Sequence, residues 1–203
     1  MASVFGDSGI SRAQVGAMLH PGYPAGGFQV MFEGGVASAA IAAADSLLLY
    51  PFVVYAPITV TSILERVQTV GAGSSVKCAV WRNSQTSARP TGLPILGQND
   101  GYDTATGTGI KSAAISSVSL TPGVWWAGSV ATGTLPAMVC AAASAAYPIP
   151  VGTAADAIPG PAIMVTGMST AVVYATDIMS VDLTSASFSR TSAGIPIIGL
   201  GWA

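Results

Sequence analysis

The stretch that decides the fold is Lys111–Val130, which reads KSAAISSVSLTPGVWWAGSV. The segment up to Leu120 combines β-branched and small residues, and Val124–Val130 is a second strand candidate that contains two tryptophans. Between them lies Thr121-Pro122-Gly123, where proline presets the backbone dihedral of the second position of a tight turn. The stretch therefore predicts two β-strands separated by a tight turn.

Strands with the same character precede this stretch. Val76–Arg82 alternates, so that Val76, Cys78 and Val80 face one way while Lys77, Ala79 and Trp81 face the other. Ile58–Val70 also begins as an alternating strand, but its alternation slips at Ile63-Leu64, which indicates a bulge or a buried stretch.

Further short strands are expected late in the chain, at 163–165, 172–174 and 195–200, and 83–99 has the Pro and Gly residues of a long connection. Short strands at this spacing, without long amphipathic helices between them, are typical of an antiparallel sandwich. The sequence predicts a mainly β protein with a jelly-roll-like antiparallel β-sandwich.

The N-terminal residues differ from the rest of the chain. The run 20–27, HPGYPAGG, consists of turn formers, and the alanine-rich stretch 36–49 favours helix over strand. An apolar segment with little core of its own usually becomes ordered by docking on something else. We therefore expect an extended anchoring arm over residues 1–50 and a β-sandwich head over residues 51–203.

The chain is unusually poor in charge. Asp, Glu, Lys and Arg make up 8% of its 203 residues, against about 25% in an ordinary soluble domain, and 51% are hydrophobic. Such a surface is covered either by lipid or by other protein chains. The most apolar window, 36–60, contains Asp45 and two prolines, which argues against a membrane-spanning helix. The seven basic residues are scattered, so nucleic-acid binding is not expected.

The middle of the chain, residues 55–134, resembles a jelly-roll domain of tailed-bacteriophage virion proteins. The resemblance rests on Ala56–Val60 (APITV), on Val76–Asn83 (VKCAVWRN) followed by Gly92-Leu93-Pro94, and on Leu120–Ala127 (LTPGVWWA). It implies a fibre, spike or decoration protein, commonly trimeric and without catalytic residues. The stretch 84–94 is longer than the corresponding loop of that family and lacks its second glycine, so no ligand is assigned to that loop.

The sequence offers little chemistry for catalysis. The single histidine, His20, precedes a proline in the arm, and no Gly-x-Ser-x-Gly motif is present. Asp100 with Asp103, and Asp177 with Asp182, are the candidate carboxylate pairs for a glycosidase, and the first pair is also a candidate for calcium. Turn residues explain these aspartates more simply, so we expect no enzyme, no cofactor and no metal site. Cys78 and Cys140 are expected to be buried free thiols, with a disulfide as the alternative.

Together these features predict a structural protein of the virion. We expect a homo-oligomer, most simply a homotrimer, that is attached through residues 1–50 to a capsid, portal or tail protein as a head fibre, spike or decoration protein. The alternative is a receptor-binding fibre tip or a carbohydrate-binding module that recognises host surface polysaccharide. If Trp126 anchors the core, its neighbour Trp125 faces outward or toward another subunit. The candidate glycan or subunit contacts are Trp81, Tyr102, Trp125 and Tyr147.

Overall fold

The computed structural model describes residues 28–30, 36–141, 167–191 and 194–202. These residues form β-strands, apart from loops and one 3-10 turn at Ile178–Ser180, and they include no α-helix. None of them belongs to a helix that is long and apolar enough to cross a membrane. The strands are β1 (Phe28–Val30), β2 (Val36–Ala40), β3 (Ser46–Val54), β4 (Ile58–Thr69), β5 (Ser75–Asn83), β6 (Pro90–Asp103), β7 (Gly109–Leu120), β8 (Gly123–Thr132), β9 (Ala137–Ala141), β10 (Gly167–Ala171), β11 (Ser189–Thr191) and β12 (Gly199–Trp202).

The strands form two antiparallel sheets. In the front sheet the order is β2-β9-β4-β7, with β12 also paired to β4 and β1 paired to β12. In the back sheet the order is β11-β10-β3-β8-β5-β6. Among β2 to β9 only β5 and β6 are consecutive neighbours in one sheet, and every other connection passes from one sheet to the other. This is the strand order of an eight-stranded jelly roll, which confirms the predicted fold class.

The two sheets enclose the main hydrophobic core. Tyr50 and Phe52 of β3, Val80 of β5 and Leu120 of β7 are among its buried residues. Tyr50 also joins the end of the chain to this core, because its hydroxyl donates to the carbonyl of Ile198 at 3.1 Å. The sandwich is therefore closed by residues that are 148 positions apart in the sequence.

Strand β4 changes its facing pattern at a bulge. Ile58 and Val60 face the core, and the pairing with β7 then shifts register between Val60 and Ser62. After the shift, Ile63 and Glu65 are the inward residues. Because side chains alternate along a strand, one extra residue exchanges the faces of all that follow it. The irregularity predicted at Ile63-Leu64 thus begins slightly earlier.

A second core lies on the outer face of the back sheet. Residues 172–188, which we call the strap, cross this face and cover Ala79, Trp81 and Trp126. Val76, Cys78 and Val80 face the main core instead, so the alternation predicted for β5 is confirmed. Both faces of β5 and β8 are consequently buried.

Two elements differ from the sequence-based expectation. The stretch 36–49 was predicted to be helical, but it forms β2 and the start of β3, which pair with β9 and β8. Cross-strand pairing outweighs the helix propensity of its alanines, since propensity is a weak prior. The sandwich therefore includes residues from 36 onward, within the stretch assigned to the arm. Residues 1–27 lie outside the described part of the chain.

The connection expected at 83–99 is also largely a strand, β6. It contains Pro90 and Pro94, which an edge strand tolerates because its outer edge needs no backbone donors. Of the late strands, the one expected at 163–165 lies outside the described residues. The strand expected at 172–174 ends earlier, at Ala171, and the one expected at 195–200 begins later, at Gly199.

Candidate functional site

Trp81 and Trp126 lie beneath the strap and are fully buried. The indole Nε1 of Trp81 donates to the carbonyl of Val181 in the strap at 3.1 Å. The Nε1 of Trp126 donates to Asn83 Oδ1 at 2.9 Å. Each indole thus has its polar atom paired while its rings pack in the second core, so Trp126 is a core residue.

Tyr102 and Trp125 face the main core and are each only 5% exposed. The hydroxyl of Tyr102 donates to the carbonyl of Ile63 at 2.6 Å, which links β6 to β4 across the sandwich. Trp125 Nε1 donates to the carbonyl of Thr121 at 2.9 Å, and the Arg82 guanidinium lies 5.5 Å from the Trp125 ring centre. The outward orientation expected for Trp125 is therefore wrong.

The aromatic residues that were predicted to contact a glycan or another subunit thus do not lie together on the surface. Trp81, Tyr102 and Trp125 are buried, so none of them presents a ring face to a sugar. Only the margin of Trp125 lines a depression of about 270 Å³, beside the turn at Thr121. Tyr147 lies outside the described residues. Trp81 and Trp125 are buried because both faces of β5 and β8 are covered by protein, and Tyr102 of β6 is buried because it faces the main core.

The aspartates serve as local caps in their turns. Asp103 Oδ1 accepts hydrogen bonds from the backbone amides of Ala105 at 2.9 Å and Thr106 at 3.1 Å. Asp182 likewise accepts from the amide of Thr184 at 2.8 Å. The hydroxyls of Thr106 and Thr184, together with these amides, lower the pKa of the two carboxyls.

The remaining residues considered for catalysis or metal binding are Asp177, Asp100 and His20. Asp177 accepts from the amide of Met179 at 2.9 Å and so caps the 3-10 turn. Across the described residues, no group of three or more His, Cys, Asp or Glu side chains could hold a metal ion. His20 lies outside those residues. Three of the four candidate carboxylates, those of Asp103, Asp177 and Asp182, thus accept hydrogen bonds within their turns, whereas Asp100 is exposed on β6.

One carboxyl group lies in the main core and was not singled out from the sequence. Glu65 is 1% exposed, its Oε1 accepts the hydroxyl of Ser129, and its Oε2 has no hydrogen-bond partner among the described residues. Burial raises the pKa of Glu65 to about 8, while the bond from Ser129 opposes this rise. At neutral pH the group is therefore mostly a neutral acid.

Two thiols share the core with this acid. Cys78 and Cys140 are buried and free, as expected, and the Cys78 thiol lies 3.8 Å from the Tyr102 hydroxyl oxygen. Burial raises the pKa of the Cys78 thiol, and it raises that of Cys140 to about 12. A thiol with a raised pKa is a poor nucleophile, so this cluster does not have the electrostatics of an activated cysteine.

The outer surface of β4 and β7, which we call the front face, is uncovered by any described segment. Register and exposure place eight outward residues there, and Arg66 alone among them is charged. Thr59 and Ser119 lie opposite one another with their hydroxyl oxygens 3.4 Å apart. The serines of β7 are the feature of the sequence from which this face could have been predicted. The eight residues are Thr59, Ser62, Leu64, Arg66, Ile110, Ser112, Ala114 and Ser119.

A groove runs between the edge strands β6 and β7, and we call it the seam groove. It has a volume of about 270 Å³. No described strand pairs with the outer edge of β6 or of β7. Both strands are bulged where they line the groove, since register shifts occur near Gln98 and near Ala114. Its lining combines half-buried apolar residues with polar ones and one charge, Asp100. The main lining residues are Ile95, Gln98, Asp100, Ile115, Ser116 and Val118.

Comparison with known proteins gives no relative, because no protein-family model matches this chain and no curated protein matches it.

Proposed function

We propose that this chain is a non-enzymatic structural subunit of a bacteriophage particle. In this role it is a small head fibre, spike or decoration protein that forms a homotrimer and attaches to a capsid, portal or tail protein through its N-terminal residues. The jelly-roll strand order supports the proposal, since this architecture is common among capsid and lectin domains.

The front face is the observation that carries the proposal. Seven of its eight residues are uncharged, although ordinary solvated surfaces are rich in charge. Most of them are small serines, threonines or alanine, which let a second backbone approach closely. Depletion of charge is the compositional mark of the centre of an interface. The front face is thus suited to contact another protein chain.

Self-association is tested by light scattering on the full-length chain as it elutes from a sizing column. We expect a mass of three chains at micromolar concentration. The double variant S62E/A114E places two acids opposite each other on the front face, because Ser62 pairs with Ala114. It is expected to dissociate the trimer. The control T86E alters an exposed turn away from this face and should leave the mass unchanged.

Particle location needs a separate measurement. Mass spectrometry of gradient-purified particles from cells that encode the chain should detect its peptides at a fixed ratio to the shell protein. Peptides found only in the soluble fraction, or a wild-type chain that is monomeric at micromolar concentration, would contradict the proposal.

A further inference from the structure

The seam groove has the features of a site for an extended peptide. Its rims are the unpaired backbones of two edge strands, and such edges accept an added extended segment through main-chain hydrogen bonds. Its floor holds Ile95, Ile115 and Val118, which are half-buried beside the main core. Since Asp100 is its one charge, the groove fits an uncharged, apolar peptide better than a basic one.

A segment of this composition leaves the sandwich on the opposite side. Residues 142–166 connect Ala141, at the end of β9, to Gly167, at the start of β10. Their only charged residue is Asp156, and Tyr147 and Ile149 alternate with prolines. Alternation of this kind is typical of extended peptides that dock in grooves.

Both ends of this segment lie on strands that do not line the groove of their own chain. Strand β10 lies four strand spacings from β6 in the back sheet, which is about 19 Å. Strand β9 is paired with β2 at the far edge of the front sheet. The outer face of the back sheet, which lies between the two sides, is already occupied by the strap. A 25-residue segment, at about 3.4 Å per residue, reaches out and back roughly 40 Å, which spans the distance to its own groove as well as to a neighbouring one. The proposed self-association favours the neighbouring molecule.

We propose that the seam groove binds residues 142–166 of a second copy of this chain. The contact joins two different surfaces, so repeating it around a rotation axis produces a closed ring. This inference rests on the proposed self-association and assigns one of its contacts. It also gives a cyclic trimer a head-to-tail linkage in addition to any contact at the front face.

Cysteine cross-linking in the full-length chain tests the occupant directly. In the double variant S116C/I149C, one cysteine lines the groove and the other lies within residues 142–166. Mild oxidation should produce dimers and trimers on a non-reducing gel, and peptide mapping should show the 116–149 bond. The control T86C/I149C should give at least tenfold less product. Cys78 and Cys140 are buried, so they do not compete in the folded protein.

Three results would overturn the inference. One is a 116–149 bond within a single chain, which runs as a compact monomer. Another is a wild-type trimer that yields no such bond. The third is a variant S116W, with the groove filled, that still associates as tightly as the control T86W, which alters an exposed turn. The inference requires S116W to weaken association at least tenfold. If the wild-type chain is itself monomeric, it is the proposed function that fails.

Discussion

The hydroxyl of Ser129 on β8 donates a hydrogen bond to Glu65 Oε1 on β4, and this bond joins the back sheet to the front sheet inside the core. The second carboxyl oxygen has no partner among the described residues. An ionised carboxylate in this position would be poorly solvated. The stability of the sandwich therefore depends on the protonation of one buried acid.

Stability is expected to fall as the pH rises from about 4.5 to about 8. The pKa of Glu65 is about 8 in the folded chain, above its ordinary value of 4.5, so between these values the folded state binds more protons than the unfolded state. The free energy of unfolding then decreases by about 1.4 kcal/mol per pH unit between these two values. The stabilising contribution of Glu65 is fully present below pH 4.5, and the decrease levels off above pH 8. Urea titrations from pH 5 to 9 measure this slope.

The variant E65Q should remove most of that slope, because glutamine does not titrate and its carbonyl still accepts from Ser129. The control D103N changes an exposed carboxyl that already ionises below this range, and it should keep the slope. A slope that persists in E65Q would show that another group is responsible.

Both cysteines should be unreactive in the folded protein. They are buried, and burial raises the pKa of both thiols, so few thiolates exist at pH 8. A thiol reagent should label fewer than about 0.1 groups per chain within minutes, and two groups in denaturant. Rapid labelling without denaturant would mean that the core opens or that a thiol is exposed.

Lys77 should hold the strap on the back sheet. Its Nζ donates to the carbonyls of Tyr174 at 2.9 Å and Thr176 at 3.1 Å, and it lies 4.7 Å from the centre of the Tyr174 ring. K77M should lower the free energy of unfolding by about 2 kcal/mol. It should also accelerate amide hydrogen exchange in residues 174–188 while β8 stays protected.

The matched control for this variant is K111M. Lys111 donates to the carbonyl of Thr106 at 2.8 Å in an exposed loop, so its removal should change stability by less than about 0.5 kcal/mol. Equal effects of K77M and K111M would contradict the role of Lys77.

Two truncations should separate the arm from the sandwich. Removal of residues 1–27 spares every described strand, so the chain should fold with a similar unfolding midpoint, and under the proposed function it should fail to attach to a particle. Removal of residues 1–45 deletes β1 and β2, which pair with β12 and β9, and also the buried Ile41. It should cost at least about 3 kcal/mol, which thermal unfolding measures. Equal midpoints for both truncations would show that β2 contributes nothing.

The sequence predicts those strands whose local pattern agrees with their environment. Strands β4, β5 and β8 are rich in β-branched and aromatic residues, and the turn at Pro122 separates β7 from β8. Strand β2 is not predicted from the sequence, because its alanines favour helix and only its pairing with β9 makes it a strand. Strand β6 is predicted to be a connection, because its prolines are typical of a loop. Only its place at the edge of the sheet explains why a strand tolerates them.

The candidate surfaces were harder to predict for a related reason. Periodicity shows that Trp81 and Val80 face opposite ways, but not that the strap covers the side of Trp81. Trp81, which was predicted as a ligand contact, is therefore part of the second core, while Tyr102 and Trp125 lie in the main core. The front face and the seam groove depend on which strands lie at an edge, and strand order is a long-range property.

The bulge in β4 determines which chemical groups the molecule encloses. If Thr61 were part of a regular strand instead of a bulge, uninterrupted alternation would turn Leu64 and Arg66 inward and leave Glu65 in water. Deleting Thr61 should thus remove the bulge and still leave Ile63 and Glu65 facing inward. A single backbone irregularity thus decides whether the core of the protein encloses a carboxyl group or a guanidinium.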